Sequence, residues 1–422
     1  MHSVLDELAW RGLVVQTTGR EALGSALADG EISLYCGFDP TASSLHVGHL
    51  TQVLTMRRFQ LAGHHPYALV GGATGLIGDP RMSGERVLND ADIVAQWVEG
   101  LRDQISRFLD LEGPHAVTMV NNLDWIGQMG ALEFLRDMGK HFRMGTMLAK
   151  DTVARRLASD EGISYTEFSY QVLQGIDYLE LYRRHGITLQ YGGNDQWGNL
   201  VSGVDLIHKV EGTDVHALTT PLVTKADGTK FGKSEGGAVW LDPELTSPYA
   251  FHQFWLNAAD ADVVNYLKFF TFRDREDIAE LERATQEASH ERAAQKALAD
   301  DITTLVHGQQ ATDQAKAAAA VLFGRGDVRD LDEPTLQALA QELPTVELPS
   351  SAVLIDAFCE VGITASKGAA RRDATGGGLS VNGQKVAAEE LEQELGALNA
   401  LPGGYVLLRR GRKNAAMVHL KR

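Results

Sequence analysis

The sequence predicts an α/β fold with a parallel sheet, followed by an all-helical region and a small α+β module. Residues 31–210 alternate short apolar segments with helical patterns, residues 247–325 carry no strand pattern, and residues 352–422 return to short apolar strands. Strands that are separated by helices pair in parallel, and ligands bind at the carboxyl ends of such strands. A ligand-binding or catalytic site is therefore expected at the carboxyl ends of these strands.

Four segments of the first region have the length and composition of strands, and each ends near glycine, asparagine or a turn cluster: EISLYCG, HPYALVGG, AVTMVNN and ITLQYGG. Between the first two, residues 46–62 place their leucine and valine side chains on one helical face, and the pattern ends at Gly63. The glycine-rich, polar strand ends YCGFDPT, GGATGLIGDP and YGGNDQWG are the places where a ligand is expected.

Composition limits the classes of protein that the chain can belong to. Its 422 residues are 44% hydrophobic and 23% charged, which is typical of a globular protein with two or three domains. The net charge of −17 argues against a chain that coats nucleic acid indiscriminately. Cys36 and Cys359 lie far apart without C-x-x-C spacing, which argues against a disulfide framework or a structural zinc site. The sequence has no long apolar run and no signal peptide pattern, so it predicts a cytoplasmic protein.

The segment Pro40–His49 follows a strand and opens a helix. Free backbone N–H groups and the helix dipole favour phosphate at such a position. His46 and His49 share one face of the first turn and can donate hydrogen bonds to a triphosphate, while Gly48 lets a nucleotide ring approach. The alternative is a pair of surface histidines at a helix start. No nearby residues complete a zinc site.

The segment DGTKFGKSEGG (227–237) is one residue short of a phosphate-binding P-loop, and no convincing helix follows it. As a mobile glycine loop it would present Lys230 and Lys233 to phosphate as two point charges. The alternative is a flexible hairpin with incidental lysines.

Two further stretches carry polar side chains that suit a small polar ligand. Tyr170, Gln174 and Asp177 recur at helical spacing, and a face that is merely solvated would be expected to carry Lys and Glu instead. The stretch QYGGNDQWGN places Asp195 to accept ribose hydroxyls and Gln196 to orient a ligand. The alternatives are a solvated helical stripe and an ordinary glycine-rich turn.

The acidic chain ends in a basic tail. Residues 401–422 carry six lysines and arginines, interleaved with the strand-like runs YVLL and MVHL, and no acidic residue. The tail therefore predicts either a solubilising surface or an RNA-binding one.

Together these motifs resemble class I aminoacyl-tRNA synthetases. HVGH is similar to their HIGH signature and KFGKS to their KMSKS signature, and the flanking stretches occur in the order typical of the bacterial tyrosyl-tRNA synthetase family. The resemblance covers nearly the whole chain. It implies four regions: a Rossmann-like catalytic domain at 1–246, a helical anticodon-stem-binding domain at 247–325, a linker at 326–351 and an S4-like RNA-binding domain at 352–422.

The resemblance implies roles for individual residues. For the tyrosine substrate these are Tyr35 and Asp177 at the phenol, Tyr170, Gln174 and Asp79 at the ammonium group, and Gln196 at the carboxylate. For ATP they are Cys36, Gly37, Asp39, Gly48, Gly193, Asp195, Ser234 and Arg86, with Thr41, His46, His49, Lys230 and Lys233 acting on the phosphates. For RNA they are Lys367, Arg371, Arg372, Arg409, Arg410, Arg412 and Lys413.

The chain departs from the family pattern at two places. Arg81-Met-Ser-Gly-Glu-Arg86 stands where the family often has a short basic run. The sequence therefore does not identify the residue that would assist Arg86 in binding pyrophosphate. Phe231-Gly232 stands where the second signature has Met-Ser.

The resemblance also implies substrates and partners. ATP, Mg²⁺ carried with it, L-tyrosine and tRNA(Tyr) are expected, with no protein-bound metal and no membrane, and a homodimer is expected with part of its interface around 124–166. Three alternatives stay open at this point: a tryptophanyl-tRNA synthetase, another nucleotidyl-transferring enzyme of the same α/β class, and an RNA-binding homologue without catalysis.

Overall fold

A computed structural model describes residues 3–81, 84–85, 88–226, 231–234, 237–411 and 414–421, with backbone alone at 233–234. Its contacts divide the chain into two compact units. The first unit spans Met1–Leu241 with Asp260–Gln286, and the second spans Asp242–Ala259 with Glu287–Arg422. The chain therefore leaves the first unit, returns to it and leaves it again.

The first unit is an α/β unit. Its strands are β1 (Gln16–Thr17), β2 (Ser33–Phe38), β3 (His65–Val70), β4 (Thr118–Asn121), β5 (Ile187–Gly193), β6 (His216–Thr220), β7 (Lys233–Ser234) and β8 (Gly237–Ala238). Its main helices are α1 (Val4–Trp10), α2 (Arg20–Asp29), α3 (Val47–Leu61), α4 (Thr74–Ile77), α5 (Ala91–Ser106), α6 (Leu123–Ile126), α7 (Ala131–Glu133), α8 (Met144–Leu148), α9 (Asp151–Leu157), α10 (Tyr165–His185), α11 (Trp197–Glu211), α13 (Asp260–Phe270) and α14 (Arg275–Glu287).

The central sheet has the strand order β1-β6-β5-β2-β3-β4, in which only β1 runs antiparallel to its neighbour. The chain winds outward from β2 in one direction to β3 and β4, and in the other to β5 and β6. Pairing between β2 and β5 ends at Tyr35 and Gln190, whereas β2 stays paired with β3 as far as Phe38. The two central strands thus separate at their carboxyl ends and open a crevice at the topological switch point.

Helix α10 crosses this crevice and begins and ends at residues suited to those positions. The Ser164 hydroxyl accepts a hydrogen bond from the backbone N–H of Glu167, and Gly186 ends the helix in the left-handed region at φ 64°. Ile176, Leu179 and other residues of α10 are buried in the core between this helix and the sheet. This packing holds the polar residues of α10 in place.

Helix α13 belongs to the first unit, although the predicted catalytic domain stops at residue 246. Buried Arg11 and Arg58 both donate hydrogen bonds to carbonyl groups at its C-terminal end, including the Thr271 carbonyl at 3.0 and 2.8 Å. Cationic side chains are favourable there because the last carbonyls of a helix lack partners within the helix and carry partial negative charge. The predicted boundary at 246 and the helical domain at 247–325 are therefore wrong in this part.

The second unit combines helices with a mixed sheet. Its helices are α12 (Pro248–Leu256), α15 (Ala293–His307), α16 (Gln309–Leu322), α17 (Glu333–Glu342), α18 (Leu354–Glu360) and α19 (Lys367–Thr375). Its strands are β9 (Thr345–Pro349), β10 (Leu379–Val381), β11 (Gln384–Lys385), β12 (Tyr405–Arg410) and β13 (Asn414–Lys421), in the order β11-β10-β12-β13-β9.

The sheet of the second unit is buried on both faces. Leu407 and Met417 pack with α16 and α17, whereas Val406 and Val418 pack with α18 and α19. A strand covered on both sides has a continuous apolar run, which accounts for YVLL and MVHL.

The structure corrects the prediction of a linker at 326–351. Most of it forms α17 and β9, and β9 pairs in parallel with β13. The segment carries Pro344 and Pro349, but β9 lies at the edge of its sheet, where a missing backbone N–H is tolerated. The proline signal was therefore misinterpreted. The four predicted strands and the helix of residues 46–62 are confirmed. In the described part of the chain, no helix is long and apolar enough to cross a membrane.

Candidate functional site

The crevice between β2 and β5 gathers the predicted substrate residues. Tyr35 comes from β2, Asp39 follows that strand, and Tyr170, Gln174 and Asp177 come from α10. The structure therefore brings these distant stretches of the chain together.

Asp177 is a buried carboxylate with two neutral donors. Its Oδ1 atom accepts a hydrogen bond of 2.8 Å from the indole N–H of Trp125, and its Oδ2 atom accepts one of 3.0 Å from the Asn122 side chain. Burial raises the pKa of Asp177 to about 7, because the charged form loses water, while both donors oppose the shift. Among the residues that the structure describes, no cation pairs with this carboxylate, so it is oriented but not neutralised.

Tyr35 lies next to Asp177 at the bottom of the crevice. The side chain is 1% exposed, and its hydroxyl group has no hydrogen-bond partner among the residues that the structure describes. Burial, and then the Asp177 carboxylate, raise the pKa of Tyr35 well above its ordinary value. A buried hydroxyl without a partner is costly, and a ligand hydroxyl placed here would contact both side chains.

Asp39 connects the end of β2 to α4 and α10. Its Oδ2 atom accepts a hydrogen bond of 2.7 Å from the Tyr170 hydroxyl, and its Oδ1 atom accepts one of 2.7 Å from the Thr74 hydroxyl. A Cβ atom at Gly71 would lie 2.2 Å from oxygens of both Asp39 and Thr74, so only glycine fits there. Burial and then Asp39 raise the pKa of Tyr170.

A second polar network surrounds Asp79. The Gln196 amide donates to Asp79 Oδ2 at 3.2 Å, and the Asn199 amide donates to Asp79 Oδ1 at 3.2 Å. Lys150 donates to the side-chain oxygen Oδ1 of Asn199 at 2.7 Å and lies 3.8 Å from Asp79 Oδ1. Gln174 has a buried side-chain oxygen without a partner in the described chain. This region can therefore bind both an ammonium group and a carboxylate.

His46 and His49 form the N-terminal cap of α3. The backbone N–H of Gly48 donates to His46 Nδ1 at 3.0 Å, and the backbone N–H of His46 donates to His49 Nδ1 at 3.2 Å. The rings stack with centroids 3.9 Å apart. Burial and the nearby His46 ring lower the pKa of His49 to about 3. Because Nδ1 accepts in both rings, each neutral imidazole carries its proton on Nε2 and donates from that atom.

The second signature loop lies against this cap. The backbone N–H of Val239 donates to the Gly232 carbonyl at 2.9 Å, and the backbone N–H of Val47 donates to the Val239 carbonyl at 3.0 Å. Gly232 has φ 78°, and a Cβ atom there would lie 2.8 Å from the Val47 side chain. The structure therefore brings the HVGH and KFGKS stretches together. Lys230 lies outside the described residues, as do the side chains of Lys233 and Ser234.

The remaining predicted nucleotide contacts differ in exposure. Thr41, Gly37 and Asp195 are exposed in the region of the crevice. Cys36 is 1% exposed and lies beside the Tyr191 hydroxyl, so its ribose contact stays a prediction. Gly48 and Gly193 lie at the two strand–helix junctions, and Arg86 lies outside the described residues.

The structure corrects the prediction that Arg409 contacts RNA. It is 7% exposed, and its guanidinium donates to the carbonyls of Val321 and Leu322, the latter at 2.8 Å. It therefore stabilises the end of α16 and is not available at the surface. Arg372 is exposed.

Three other predicted RNA contacts form ion pairs with acidic neighbours. These pairs are Lys367 with Asp356, Arg371 with Glu392 at 2.6 Å, and Arg410 with Asp373 at 3.0 Å. Arg412 and Lys413 lie outside the described residues.

Several site residues were not predicted individually. Thr74, Asn122 and Asn199 lie in stretches that were recognised as motifs, but nothing in a single sequence distinguishes them from their neighbours. Trp125 and Lys150 lie in the segment assigned to a dimer interface. They reach the site because the segment after β4 folds back over the crevice.

Comparison with known proteins shows similarity in two parts of the chain. A family model described as "tRNA synthetases class I (W and Y)" matches residues 27–324. A second one, described as "Tyrosine--tRNA ligase SYY-like C-terminal domain", matches residues 335–418. That match begins inside α17, so it includes β9, the strand within the predicted linker.

Curated relatives match over the whole chain. Tyrosine–tRNA ligase of Streptomyces griseus subsp. griseus is 60% identical over 421 residues, covering 100% of this chain and 99% of the relative. That of Streptomyces coelicolor is 58% identical over the same length. A C-terminally truncated mitochondrial tyrosyl-tRNA synthetase of Aspergillus nidulans has a similar structure, with a TM-score of 0.69, 29% identity, and coverage of 76% of this chain and 95% of that one.

Proposed function

Because the chain belongs to the class I tRNA synthetases that serve tryptophan and tyrosine, and within them to the tyrosine–tRNA ligases, we propose a role for each part of its site. The chain is an enzyme that activates L-tyrosine with ATP, forms tyrosyl-adenylate and pyrophosphate, and transfers tyrosine to the 3′ end of tRNA(Tyr). The single observation that carries the assignment of the site is the buried pair of Tyr35 and Asp177.

In the proposed arrangement, the substrate phenol lies between Tyr35 and Asp177. The phenol donates to the Asp177 carboxylate, which Trp125 and Asn122 hold in position, and the Tyr35 hydroxyl gains the partner that the chain does not supply. Phenylalanine would leave the buried Tyr35 hydroxyl without a partner and would not supply the phenol donor to the buried Asp177 carboxylate, and that penalty excludes it. Tryptophan would place an indole ring, instead of a hydroxyl group, between Tyr35 and Asp177.

The α-amino and carboxylate groups of tyrosine are proposed to lie higher in the crevice. Tyr170, Gln174 and Asp79 would bind the ammonium group, and Gln196 would lie near the carboxylate. Asp79 is oriented for this task by two amide donors, from Gln196 and Asn199. A carboxylate nucleophile needs no general base, so positioning and charge stabilisation supply the catalysis.

We propose that ATP lies between the cap of α3 and β5. Asp195 and Gly193 would contact the ribose, with Cys36 and Gly37 close by. The Nε2–H groups of His46 and His49 would donate to the phosphates, together with Thr41, Lys230, Lys233 and Arg86. Mg²⁺ would arrive with ATP and neutralise phosphate charge. We propose that the enzyme acts in the cytoplasm.

The second unit is proposed to bind tRNA. Its exposed cations are the candidates for backbone contacts: Lys367, Arg371, Arg372 and Arg410, with Arg412 and Lys413 added from the sequence. Three of the four described cations already have acidic partners, and phosphate groups would compete with those carboxylates.

A homodimer is proposed from the segment between β4 and α10. Large apolar side chains are exposed along it: Leu123, Leu132, Leu135, Met144, Leu148, Leu157 and Tyr165. An exposed apolar surface of this kind is typical of an interface. Leu132→Glu should halve the mass measured by light scattering, whereas Leu111→Glu, at an exposed leucine elsewhere, should not. Equal masses for both variants would argue against this interface.

The assignment is tested by tyrosine-dependent exchange of labelled pyrophosphate into ATP without tRNA. Wild type should exchange with tyrosine and not with phenylalanine or tryptophan. Tyr35→Phe should lower kcat/KM for tyrosine about tenfold or more, since it removes one buried hydrogen bond. Tyr67→Phe is the matched control on the neighbouring strand. Exchange with tryptophan would overturn the assignment of the pocket, and tRNA binding without any exchange would indicate an RNA-binding protein.

A further inference from the structure

Three side chains with metal-ligating atoms meet at the edge of the central sheet opposite to the crevice. Glu31 precedes β2, His65 is the first residue of β3, and His115 precedes β4. These three strands are parallel neighbours, so their first residues lie at the same edge. The sheet therefore assembles the cluster from residues that are far apart in sequence.

The geometry of the cluster suits one ion. One Glu31 oxygen lies 3.0 Å from His65 Nε2, and the other lies 3.9 Å from His115 Nε2. One ligand atom of each residue lies within 4.8 Å of those of the other two. Ligand atoms bound about 2 Å from a zinc ion lie roughly 3.3 Å apart, so small side-chain rotations suffice.

Hydrogen bonds hold the backbone of the segments that carry these ligand residues. The backbone N–H of His65 donates to the Ile32 carbonyl at 2.9 Å, as part of the pairing of β2 and β3. Buried Gln60 holds the loop before β4, because its amide donates to the carbonyls of His115 and Asp110 at 2.8 and 2.9 Å. Binding would thus require little ordering of the chain.

One further observation favours a ligand over a plain ion pair. The Glu31 side chain is 61% exposed and that of His65 is 35% exposed, which leaves an approach for an ion and room for water ligands.

We propose that Glu31, His65 and His115 form a binding site for a divalent transition-metal ion of the zinc class, distant from the catalytic crevice. Two imidazoles and one carboxylate suit Zn²⁺ far better than Mg²⁺, which prefers oxygen ligands in octahedral geometry. The ion would join the starts of three strands and stabilise the sheet. The family resemblance implies no protein-bound metal, and residues 31, 65 and 115 show no spacing motif that would predict one.

The test is titration of the metal-free full-length protein with Zn²⁺ by calorimetry, with thermal unfolding in parallel. Wild type should bind in a saturable step that Mg²⁺ does not displace, and Zn²⁺ should raise the Tm. Glu31→Gln and His65→Ala should each weaken this step at least tenfold and abolish the Tm rise. Glu31 is exposed, so its variant keeps the fold intact.

His208→Ala is the matched control, since His208 is an exposed histidine 2.9 Å from a single carboxylate, that of Asp214. It should bind Zn²⁺ as the wild type does. Tyrosine-dependent exchange without added Zn²⁺ should be unchanged in all three variants. Equal Zn²⁺ affinity in wild type and both cluster variants would overturn the proposal, and so would the absence of a saturable step in wild type.

Discussion

Arg156 and Glu167 form an ion pair of 3.0 Å in which the two side chains are only 1% and 2% exposed. Arg156 also donates to the Gly84 carbonyl at 2.7 Å and to the Gly162 carbonyl at 2.9 Å. The pair therefore fixes α9 against the first turn of α10 and holds the segment that follows Asp79 and Pro80. No sequence motif indicated it.

Removing one partner of this pair should be costly, because it leaves the other buried charge without this counter-ion. Arg156→Met or Glu167→Leu should each lower the free energy of unfolding by about 3–5 kcal/mol. The double variant Arg156→Met with Glu167→Leu should lose clearly less than the sum of the two. Urea denaturation measures all three, and additive losses would show that the two charges are not coupled.

The same double variant separates stability from catalysis. It removes the anchor of the Gly84 carbonyl, two residues before the predicted pyrophosphate contact Arg86. Tyrosine-dependent pyrophosphate exchange should therefore fall even where the fold is retained. Undiminished exchange in a folded double variant would limit the pair to a structural role.

His49 should contribute to catalysis through Nε2 and to stability through Nδ1. His49→Asn keeps an acceptor near the Nδ1 position and removes the Nε2 donor, so exchange should fall about 10²–10³-fold with little loss of stability. His49→Ala should lose the same activity and about 0.5–2 kcal/mol of stability in addition, since the cap is lost. Wild-type activity in the asparagine variant would refute the phosphate role.

Asp177 should make the stability of the substrate-free enzyme dependent on pH. Its folded-state pKa of about 7 lies above the ordinary value of 3.8, so the stabilising contribution is present below pH 4 and is lost as the pH rises through 7. The loss is at most on the order of 4 kcal/mol.

The pH measurement compares urea midpoints of wild type and Asp177→Asn between pH 5 and 8.5. The variant should show a flatter profile, whatever its absolute stability. Asp29→Asn, at an exposed carboxylate at the end of α2, should keep the wild-type slope. Parallel profiles for wild type and Asp177→Asn would indicate an ordinary pKa for this carboxylate.

Substitution of two arginines of the second unit should have different effects on stability and on tRNA binding. Arg409→Ala should lower stability by about 1–3 kcal/mol, because it leaves the carbonyls at the end of α16 unpaired. Arg372→Ala should leave stability unchanged and reduce the salt dependence of tRNA binding by about one phosphate contact. Filter binding at several salt concentrations, with thermal unfolding, distinguishes the two, and a salt slope altered only in the Arg409 variant would reverse the assignment.

The sequence predicted those parts of the molecule whose cause is local. Strand ends, the start of α3 and the helical spacing of Tyr170, Gln174 and Asp177 depend on neighbouring residues, so their patterns were sufficient. The partners of Asp177 come from across the fold: Trp125 lies 52 residues away along the chain, and its contact depends on how the segment after β4 returns.

The errors have the same origin. A proline-containing edge strand and a linker look alike in sequence, so β9 was assigned to a linker. Arg409 lies in a basic tail, and only the packing of α16 shows that its guanidinium is directed inward. In both cases a local signal was outweighed by contacts with residues far along the chain.

The chain crosses three times between the two units, and this limits how the enzyme can be shortened. Asp262 and Tyr266 of α13 bond to backbone groups of Ala226 and Thr224, just before the second signature loop, so a catalytic fragment must extend to Gln286. Such a fragment also retains α12 but lacks α15, whose His307 ring lies 4.7 Å from that of Phe251. Phe251 and Trp255, both fully buried in the intact chain, would then face water. Truncation after Gln286 would therefore give an aggregation-prone protein, unless Phe251 and Trp255 are replaced.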